Sequence, residues 1–470
     1  MDMSTASREP LVIDAELLER FGGRGPRYTS YPTADRFDER VDANRYARAL
    51  DARADRRGEP LGLYVHIPFC RVICYYCACN KIGTKHVEQS TPYLEALRHE
   101  ADLITSHTGR GQPVQHLHFG GGTPTFMPDA ELGEVVDLLR TRFEFSDDGE
   151  YSIEVDPRTV GPERIRALRA MGLNRLSLGV QDFDPDVQRA VNRIQSYEKT
   201  IALIEAARDV AFRSINVDLI YGLPKQNATT FTETLRKTIA AAPDRIALYH
   251  YAHLPALFKP QRRIAEADLP SSEEKARMFE TAVGMFEAAG YRHLGLDHFA
   301  HEDDELAIAQ REGRLHRNFQ GYSSHASGDL IALGVSAISS VGDVYAQNDK
   351  VLDGYYRRVG RDELPTTRGI ALDADDFLRR DAIQSLMCDF ALDWSALDAR
   401  HGAGSRDRLN DAREALATLA EAGAIRIDDS GIEVLPRGRL LVRAVAMAFD
   451  RHLAEQIARR EGGASYSRIA

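Results

Sequence analysis

Strand-like and helix-like segments alternate between about residues 61 and 300, and this alternation restricts the chain to few folds. Six short segments are rich in β-branched and aromatic residues and end at Gly, Pro or Asp, which is typical of buried strands. Because a helical pattern follows each one, the sequence predicts a parallel sheet with right-handed crossovers, closed or partly closed into a (βα)6-type barrel. The six segments are Leu61–Ile67, Val114–Phe119, Tyr151–Val155, Arg175–Gly179, Ile215–Ile220 and Ile246–Tyr251. A seventh segment, His293–Phe299, is predicted to extend the sheet edge.

Local signals mark where several of the intervening helices begin. Thr91 and Pro92 predict a helix start, as N-cap and first-turn proline. A second helix is predicted after Asp129. Ser271 and Glu274 have the spacing of a capping box, which predicts a third helix there.

The pattern changes on either side of this region. Residues 1–50 are predicted to form an arm without helix, because Gly25–Thr33 is polar and proline-rich. Residues 51–364 then form the barrel domain with its edge extension. Residues 365–470 form a mainly helical, winged-helix-like domain, to which we assign a packing or substrate-capping role. Its predicted elements are helices Asp375–Phe390 and Asp411–Ala422, a hairpin of Ala424–Ile427 and Ile432–Leu435, and a last helix from about Gly438 to Glu461.

Composition and charge exclude several classes of protein. No window approaches the roughly 18 uncharged apolar residues that a transmembrane helix needs, and the N-terminus lacks the apolar core of a signal peptide. We therefore expect a cytoplasmic protein with no membrane partner. The net charge is −11, which argues against nucleic acid as the main partner because phosphate binding usually needs a basic surface.

Four of the five cysteines cluster at Cys70, Cys74, Cys77 and Cys79. So few cysteines cannot form a disulfide framework, and in a reducing cytosol such a cluster is more often metal-binding or catalytic. Thiolates suit zinc or iron–sulfur clusters, but structural zinc sites usually need a second C-x-x-C pair that this chain lacks. The spacing favours three ligands of a [4Fe–4S] cluster with one iron open, with zinc or redox-active thiols as alternatives. The fifth, Cys388, is predicted to be an inert buried thiol.

The spacing Cys70-x-x-x-Cys74-x-x-Cys77 after the first strand of a βα barrel resembles that of the radical S-adenosylmethionine (SAM) enzymes. This resemblance implies that these three cysteines hold the cluster and that the amino and carboxylate groups of SAM chelate the open iron. It also implies that an electron from the reduced cluster cleaves SAM to a 5′-deoxyadenosyl radical, and that Tyr76 lies beside an adenine.

A series of further motifs points to one family among the radical SAM enzymes. In chain order they are Tyr64–Cys70, Cys77–Lys81, Gly120–Thr125, Glu154–Pro157, Gly179–Phe183, Asp218–Pro224, Tyr251–Pro255 and His316–Tyr322. Each motif alone is weak, but the ordered set resembles the family of oxygen-independent coproporphyrinogen III oxidases, or dehydrogenases, over essentially the whole chain. One departure is Ala78, where the family has glycine.

The narrower resemblance implies an activity in heme biosynthesis. The expected reaction is oxidative decarboxylation of two propionates of coproporphyrinogen III to vinyl groups, giving protoporphyrinogen IX, after the radical abstracts hydrogen from a propionate β-carbon. A low-potential electron donor such as flavodoxin is the expected partner, and the chain is expected to be a monomer. Cationic and hydroxyl groups should meet the propionates; the candidates are Arg27, Tyr28, Tyr31, Arg311 and Arg317.

The same resemblance implies a set of binding residues, each near the carboxyl end of a predicted strand, where barrel active sites are built. Those expected around a first SAM are Tyr64, Gly121, Glu154 and Ile338. Those expected around a second SAM are Tyr76, Gly122, Thr123, Gln181, Arg193, Asp218 and Ala252.

Purely structural explanations of these residues stay open. The glycine loop could be a tight turn, Glu154 could form a surface salt bridge, and Arg193 and Asp218 could be an ion pair that braces the barrel.

Cys79 is expected to be a catalytic thiol near the substrate, because a cluster with SAM on its fourth iron has no position for another thiolate. The alternative is a buried thiol that packs the loop. The histidines in these motifs are predicted to be structural rather than metal ligands: His66, His253, His298 and His316.

Two other classes of function compete with the oxidase. A heme-binding chaperone on the same scaffold is disfavoured, because such relatives generally lack the cysteine at the position of Cys79 and the Arg27–Thr33 arm. A radical SAM enzyme that modifies nucleic acid would use the C-terminal domain, and the acidic charge disfavours it.

Overall fold

The computed structural model describes residues 11–324 and 328–459. The chain divides into two compact units. The larger unit comprises residues 38–289 and 327–369, and the smaller unit comprises residues 1–37, 290–326 and 370–470. The predicted division at residues 50 and 364 stays a prediction, although helix Ala43–Ala54 runs through residue 50 because Tyr46, Ala49 and Leu50 are buried.

The larger unit is built on a mainly parallel sheet. Strands β1 to β6 pair in chain order and all in parallel, and β7 pairs with the other side of β1, also in parallel. In the described chain the strand order of this unit is β10-β9-β8-β7-β1-β2-β3-β4-β5-β6. The strands are β1 (Leu61–Ile67), β2 (Gln112–Gly121), β3 (Phe143–Val155), β4 (Arg175–Gln181), β5 (Ser214–Tyr221), β6 (Arg245–His250), β7 (Asp329–Leu333), β8 (Ile338–Val341), β9 (Val344–Asn348) and β10 (Thr366–Ala371).

The predicted parallel βα architecture is confirmed, and each of the six predicted strands exists. Strands β7 to β10 were missed by the prediction. Strands β8 and β9 form an antiparallel hairpin in which Gly342 has φ +57°, as a two-residue turn requires.

Helices fill the crossovers of the larger unit, as the sequence predicts. Ser90 rather than Thr91 begins its helix, so the predicted N-cap is wrong by two positions, because Gln89 is the N-cap. The predicted start at Ser271 is confirmed, since its side chain accepts a hydrogen bond from the Glu274 backbone N–H at 3.1 Å. The helices are Ala43–Ala54, Ser90–Thr108, Asp129–Arg140, Pro162–Ala170, Pro185–Ala190, Tyr197–Asp209, Ala228–Ala240, Ser272–Ala288 and Leu352–Val359.

The smaller unit is mainly helical, with a separate apolar core that includes Leu386, Trp394 and Phe449. The predicted C-terminal hairpin is confirmed, and Ala391–Asp393 adds a third antiparallel strand to it. The elements of this unit are helices Ala15–Phe21, Glu305–Arg311, Ala374–Asp389, Trp394–His401, Ser405–Arg408, Arg413–Glu421, Val442–Met447 and Arg451–Arg459, and strands Tyr291–Gly295, His298–His301, His316–Asn318, Gly321–Ser323, Ala391–Asp393, Ile425–Ile427 and Gly431–Val434.

Two predictions for this unit are wrong, and a third is right that the segment is strand but wrong that it is a single one. The arm contains helix Ala15–Phe21, which Asp14 caps by accepting from the Leu17 N–H. The segment His293–Phe299 is two antiparallel strands, because Leu296 turns the chain with φ +45°. The long last helix is interrupted at Asp450, whose carboxylate accepts from the Leu453 N–H at 2.9 Å and so starts a new helix; the predicted end at residue 461 lies outside the described residues.

Candidate active site

The cysteine loop follows β1 in the larger unit, and a short parallel ladder closes it. Strand residues Phe69–Cys70 pair with Ile82–Gly83, and the Thr84 N–H donates to the Cys70 carbonyl at 2.9 Å. This ladder brings the two ends of the loop together, so the thiols lie at the carboxyl end of β1. Cys74 is buried, Cys70 and Cys77 are half-buried, and Cys79 is exposed.

Polar groups from other strands reach two of these sulfur atoms. The Thr123 hydroxyl lies 3.4 Å from Cys70 Sγ. Arg158 Nη2 and Arg193 Nη1 donate to Cys74 Sγ at 3.3 and 3.4 Å. Cys74 Sγ thus lies against two guanidinium groups, and thiolate is the form of cysteine that binds metal.

Cys79 contacts its neighbour in the loop. A hydrogen bond from the Cys79 side chain lowers the pKa of Cys77 to about 6, with Lys81 contributing in the same direction. The Lys81 ammonium also donates to the carbonyls of Cys77 and Cys79 at 2.7 and 3.1 Å. Because Cys79 is exposed, the alternative of a buried thiol that only packs the loop is wrong.

The two arginines at Cys74 share one buried carboxylate. Arg158 contacts Asp156 with Nε and Nη2, the latter at 2.7 Å from Oδ2, and Arg193 Nη2 lies 3.2 Å from Asp156 Oδ1. Burial opposes ionisation of Asp156, but the charge of Arg193 and the bonds from Arg158 outweigh it and lower its pKa. The ion pair of Arg193 is therefore with Asp156, and the alternative pair with Asp218 is not formed.

The glycine loop after β2 approaches the cysteine loop closely. Gly121 has φ +111°, and a Cβ there would lie 2.6 Å from His66 Cε1. A Cβ on Gly122 would lie 2.5 Å from the Pro68 carbonyl oxygen, while the Gly122 N–H donates to the Ile67 carbonyl at 2.8 Å. The loop thus does more than turn the chain, since it brings backbone without side chains against the start of the cysteine loop.

A row of polar side chains crosses β1, β2 and β3 beside these loops. The Tyr64 ring stacks on His118, with centroids 5.9 Å apart. His118 Nδ1 lies 2.6 Å from Ser152 Oγ and its Nε2 lies 3.3 Å from Glu154 Oε1. Among the described residues Glu154 pairs with His118 and with no Lys or Arg, so its carboxylate can accept hydroxyl donors, and the alternative of a surface salt bridge stays open.

The polar row continues on β4 and β5 around Asp218. Ser177 Oγ and Asn216 Nδ2 donate to its two carboxylate oxygens at 3.1 and 2.8 Å. Burial, and then the negative charge of Glu154, raise the pKa of Asp218 to about 6 despite these donors. The Asp218 carboxylate can therefore accept further hydrogen bonds, and it forms no salt bridge with a Lys or Arg among the described residues.

The last predicted residues lie at the ends of β4 and β6. Gln181 ends β4 with φ +70°, and its buried Oε1 has no hydrogen-bond partner in the described chain. Gln261 connects the cysteine loop with β6, since its Nε2 donates to the Tyr76 and Ala252 carbonyls at 2.9 and 3.2 Å. This bridge holds the Tyr76 segment against the end of the sheet.

Ile338 begins β8, and a buried carboxylate holds the loop that precedes it. Glu100 accepts from the Gly334 N–H at 2.8 Å, the Tyr355 hydroxyl at 2.7 Å and Asn348 Nδ2 at 2.6 Å. Burial raises the pKa of Glu100 to about 7. Glu100 therefore fixes the loop that leads into Ile338.

The structure gathers the predicted set around the carboxyl ends of β1 to β6, except for Ile338, which lies on β8 beyond β7. Sequence reasoning missed His118, Ser152, Arg158, Gln261 and Asn216. The alternation of polar residues along β3 and β5 could have identified Ser152 and Asn216, because alternate strand residues face one side. No local signal marks Arg158 or Gln261.

Three of the residues proposed for the propionates have contacts within the smaller unit. The Tyr28 hydroxyl donates to Asp450 Oδ2 at 2.9 Å, Arg27 pairs with Asp297, and Arg311 Nη1 donates to the Glu302 carbonyl at 2.6 Å. Their role toward the substrate stays a prediction.

No helix in the described ranges is long and apolar enough to cross a membrane. Within the same ranges, no three His, Cys, Asp or Glu side chains form a group that could hold a metal ion as they stand. The buried Gln181 Oε1 without a partner, the close backbone at Gly121 and Gly122 and the basic groups at Cys74 nevertheless fit a bound anionic cluster and a polar ligand.

Comparison with known proteins gives the class first. Residues 64–238 match the family model of the radical SAM superfamily, and residues 372–441 match that of the HemN C-terminal domain. The parallel βα sheet with the three-cysteine loop after its first strand therefore defines a radical SAM protein.

The particular family follows from the sequence identity between this chain and relatives of known family. The chain is 48% identical over 443 residues to the oxygen-independent coproporphyrinogen III oxidase of Pseudomonas aeruginosa, covering 94% of this chain and 96% of the relative. It is 46% identical to that of Escherichia coli, with the same coverage. The solved structure of the coproporphyrinogen III oxidase (HemN) from Escherichia coli, described as a radical SAM enzyme, matches with a TM-score of 0.90 at 45% identity, covering 94% of this chain and all of the other. The chain belongs to the family of oxygen-independent coproporphyrinogen III oxidases, as its ordered motifs predicted.

Proposed function

We propose that this protein converts coproporphyrinogen III to protoporphyrinogen IX without oxygen, by oxidative decarboxylation of two propionates to vinyl groups. The observation that carries this proposal is the match to oxygen-independent coproporphyrinogen III oxidases over 94% of the chain. The arrangement of the site agrees with it, because the cysteine loop, the glycine loop and Glu154 meet at one end of the sheet.

Three thiols of the loop hold a [4Fe–4S] cluster in this proposal, namely Cys70, Cys74 and Cys77. A bound cluster and SAM supply reductive cleavage of a sulfonium, which yields a carbon-centred radical that removes hydrogen from the substrate. Thr123 contributes a hydroxyl to Cys70, and Arg158 and Arg193 contribute N–H groups to Cys74.

The remaining residues of the site hold SAM. Glu154 accepts the ribose hydroxyls of a first SAM, and the backbone at Gly121 binds its methionine end, with Tyr64 and Ile338 completing the contacts. Gln181 has an unused buried oxygen, and Asp218 accepts without a cation of its own. These two, together with Tyr76, Gly122, Thr123, Arg193 and Ala252, hold a second SAM.

Cys79 is the catalytic thiol of the proposal. It is exposed and contacts Cys77, so it can reach a substrate while remaining outside the ligand set. Its role is to relay an electron or a hydrogen atom in the reaction of the substrate.

The cellular setting also belongs to the proposal. The enzyme works as a cytoplasmic monomer, without membrane or nucleic-acid partners, and receives electrons from a low-potential donor such as flavodoxin.

The test is anaerobic reconstitution with iron, sulfide and SAM, followed by an assay for vinyl products from coproporphyrinogen III. The Cys74→Ser variant should lose the cluster and all product, because it removes a ligand. The Cys388→Ser variant is the matched control, since Cys388 is buried in the smaller unit, and it should keep both. Absence of vinyl product from the reconstituted wild-type protein under reducing conditions would overturn the proposal.

A further inference from the structure

Two large apolar side chains are exposed beside the cysteine loop. Val72 is 45% exposed and Ile194 is 68% exposed. Most large apolar side chains of the described chain are buried, so exposed ones that lie together indicate a surface with a partner. Val72 stands between Cys70 and Cys74 in the loop.

These two residues lie on segments that run side by side. The Tyr75 N–H donates to the Val191 carbonyl at 3.0 Å, and Asn192 Nδ2 donates to the Ile73 carbonyl at 2.9 Å. The residue before Ile194 is Arg193, which contacts Cys74 Sγ at 3.4 Å. The surface formed by Val72 and Ile194 therefore lies directly beside Cys74.

Three cations lie on or against the segments that carry this apolar pair. Lys199 Nζ donates to the Arg158 carbonyl at 2.9 Å, the Arg263 guanidinium lies over the Tyr75 ring at 5.2 Å, and Arg71 lies over the Phe126 ring at 5.8 Å. In the described part of the chain, Arg71, Lys199 and Arg263 form no salt bridge with a carboxylate. We name the set Arg71, Val72, Ile194, Lys199 and Arg263 the Cys74 face.

The charge of this face differs from that of the whole chain. The net charge is −11, so an acidic protein is repelled by the molecule as a whole. Unpaired cations around an apolar centre favour an acidic partner at this one face, because complementary charge steers association while apolar contact stabilises it.

We propose that the Cys74 face is the docking surface for a small acidic one-electron carrier protein, which rests on the proposed function because that reaction needs an external reductant. The reduced carrier gives up one electron and is thereby oxidised. A cluster held by Cys70, Cys74 and Cys77 would accept this electron and pass from its 2+ to its 1+ state. No bond forms between the proteins, and no proton transfer is required for this step.

The test measures binding of the carrier separately from activity driven without the carrier. Reduced flavodoxin is the probe, and its Kd for the reconstituted protein is measured by fluorescence anisotropy at low and high salt. The Arg71→Glu and Lys199→Glu variants should each raise the Kd about tenfold at low salt, with less effect at high salt, because screening weakens interactions between exposed charges. The Val72→Ser and Ile194→Ser variants should raise the Kd at both salt concentrations. Product formation driven by dithionite, a small reductant, should be unchanged in all four.

Matched controls exist elsewhere in the chain. Val12 is also 45% exposed, so Val12→Ser controls for the loss of an exposed valine. Arg20 lies over the Phe21 ring at 4.9 Å, as Arg71 lies over Phe126, so Arg20→Glu controls for charge reversal. Equal Kd values for Arg71→Glu and Arg20→Glu would overturn the proposal that the Cys74 face is the docking surface. Wild-type protein that makes no product with dithionite would contradict the proposed function instead, while the binding measurement would still decide the docking surface.

Discussion

At the scale of single residues, the environment of Cys74 is the most informative feature. Its sulfur accepts N–H groups from Arg158 and Arg193, and the two guanidiniums share Asp156. The carboxylate neutralises part of the positive charge and fixes both guanidinium planes. Hydrogen bonds to cluster sulfurs and nearby charge set the reduction potential of an iron–sulfur centre.

Replacement of Arg158 tests this environment. The Arg158→Gln variant removes a positive charge and the N–H at Cys74, so the reduced and more negative cluster should be less stable. We expect the reduction equilibrium constant to fall about tenfold, which is about 59 mV for one electron, as measured by a redox titration followed by electron paramagnetic resonance. Arg142→Gln is the control, because Arg142 pairs with Asp102 on another part of the unit. An unchanged potential in Arg158→Gln would contradict this account of Cys74.

Replacement of Cys79 separates cluster assembly from the reaction of the substrate. Because Cys79 is outside the proposed ligand set, the Cys79→Ser variant should keep its iron and sulfide content and its cleavage of SAM. It should lose at least tenfold in vinyl product, since a hydroxyl does not relay an electron or hydrogen atom as a thiol does. Iron analysis, 5′-deoxyadenosine release and product chromatography make the comparison. Full decarboxylation with an intact cluster would show that Cys79 has no catalytic role.

At the scale of elements, the close approach of the glycine loop to the cysteine loop makes a prediction about SAM binding. A Cβ on Gly122 would lie 2.5 Å from the Pro68 carbonyl oxygen, so Gly122→Ala must displace backbone. We expect SAM affinity to fall at least tenfold in equilibrium binding to the reconstituted protein. Gly133→Ala is the matched control, because a Cβ on Gly133 meets nothing within 4 Å in helix Asp129–Arg140. Equal affinity in the two variants would contradict the predicted role of the loop.

The helix Ala374–Asp389 ends at Asp389, and the surroundings of this residue disfavour the ionised form of its carboxyl group. Burial raises the pKa of Asp389 to about 7, although Arg400 acts in the opposite direction, and its Oδ1 has no hydrogen-bond partner in the described chain. A carboxylate at a helix C-terminus is also opposed by the helix dipole. The folded protein therefore holds the proton more tightly than the unfolded chain, whose carboxyl has a pKa of about 3.9.

This shift makes stability depend on pH with a definite sign. The stabilisation from protonated Asp389 is fully present below about pH 4 and is lost as the pH rises through about 7. The Asp389→Asn variant should therefore unfold about 2–4 °C higher than wild type at pH 8, and the difference should vanish at pH 4. Differential scanning calorimetry across this range checks the prediction. A variant that is less stable than wild type at pH 8 would contradict it.

The elements differ in how far they could be predicted. Strands β1 to β6 were predictable because each is a compact apolar run followed by its own helix. Strands β8 and β9 were not, since they are short and carry polar residues such as Ser340 and Gln347, and only pairing with each other and with β7 makes them strands. The break in the predicted last helix depended on a cap at Asp450, which the apolar periodicity does not reveal.

At the scale of the whole molecule, the two compact units interleave along the chain, with three stretches in the smaller unit and two in the larger. The predicted site was recoverable because Cys70, Gly121 and Glu154 occur where strands end, and parallel strands bring those ends together. Arg158 and Gln261 could not be predicted, because only the folded chain decides which arginine reaches a sulfur and which glutamine bridges two loops.

The central claim is that Cys70, Cys74 and Cys77 hold a [4Fe–4S] cluster whose fourth iron is open to SAM. Mössbauer spectroscopy of the anaerobically reconstituted protein, labelled with ⁵⁷Fe and recorded with and without SAM, tests this claim most directly. The account predicts that SAM changes the signal of one iron in four and leaves the other three unchanged. A spectrum without a four-iron cluster, or one in which SAM changes no iron, would contradict it.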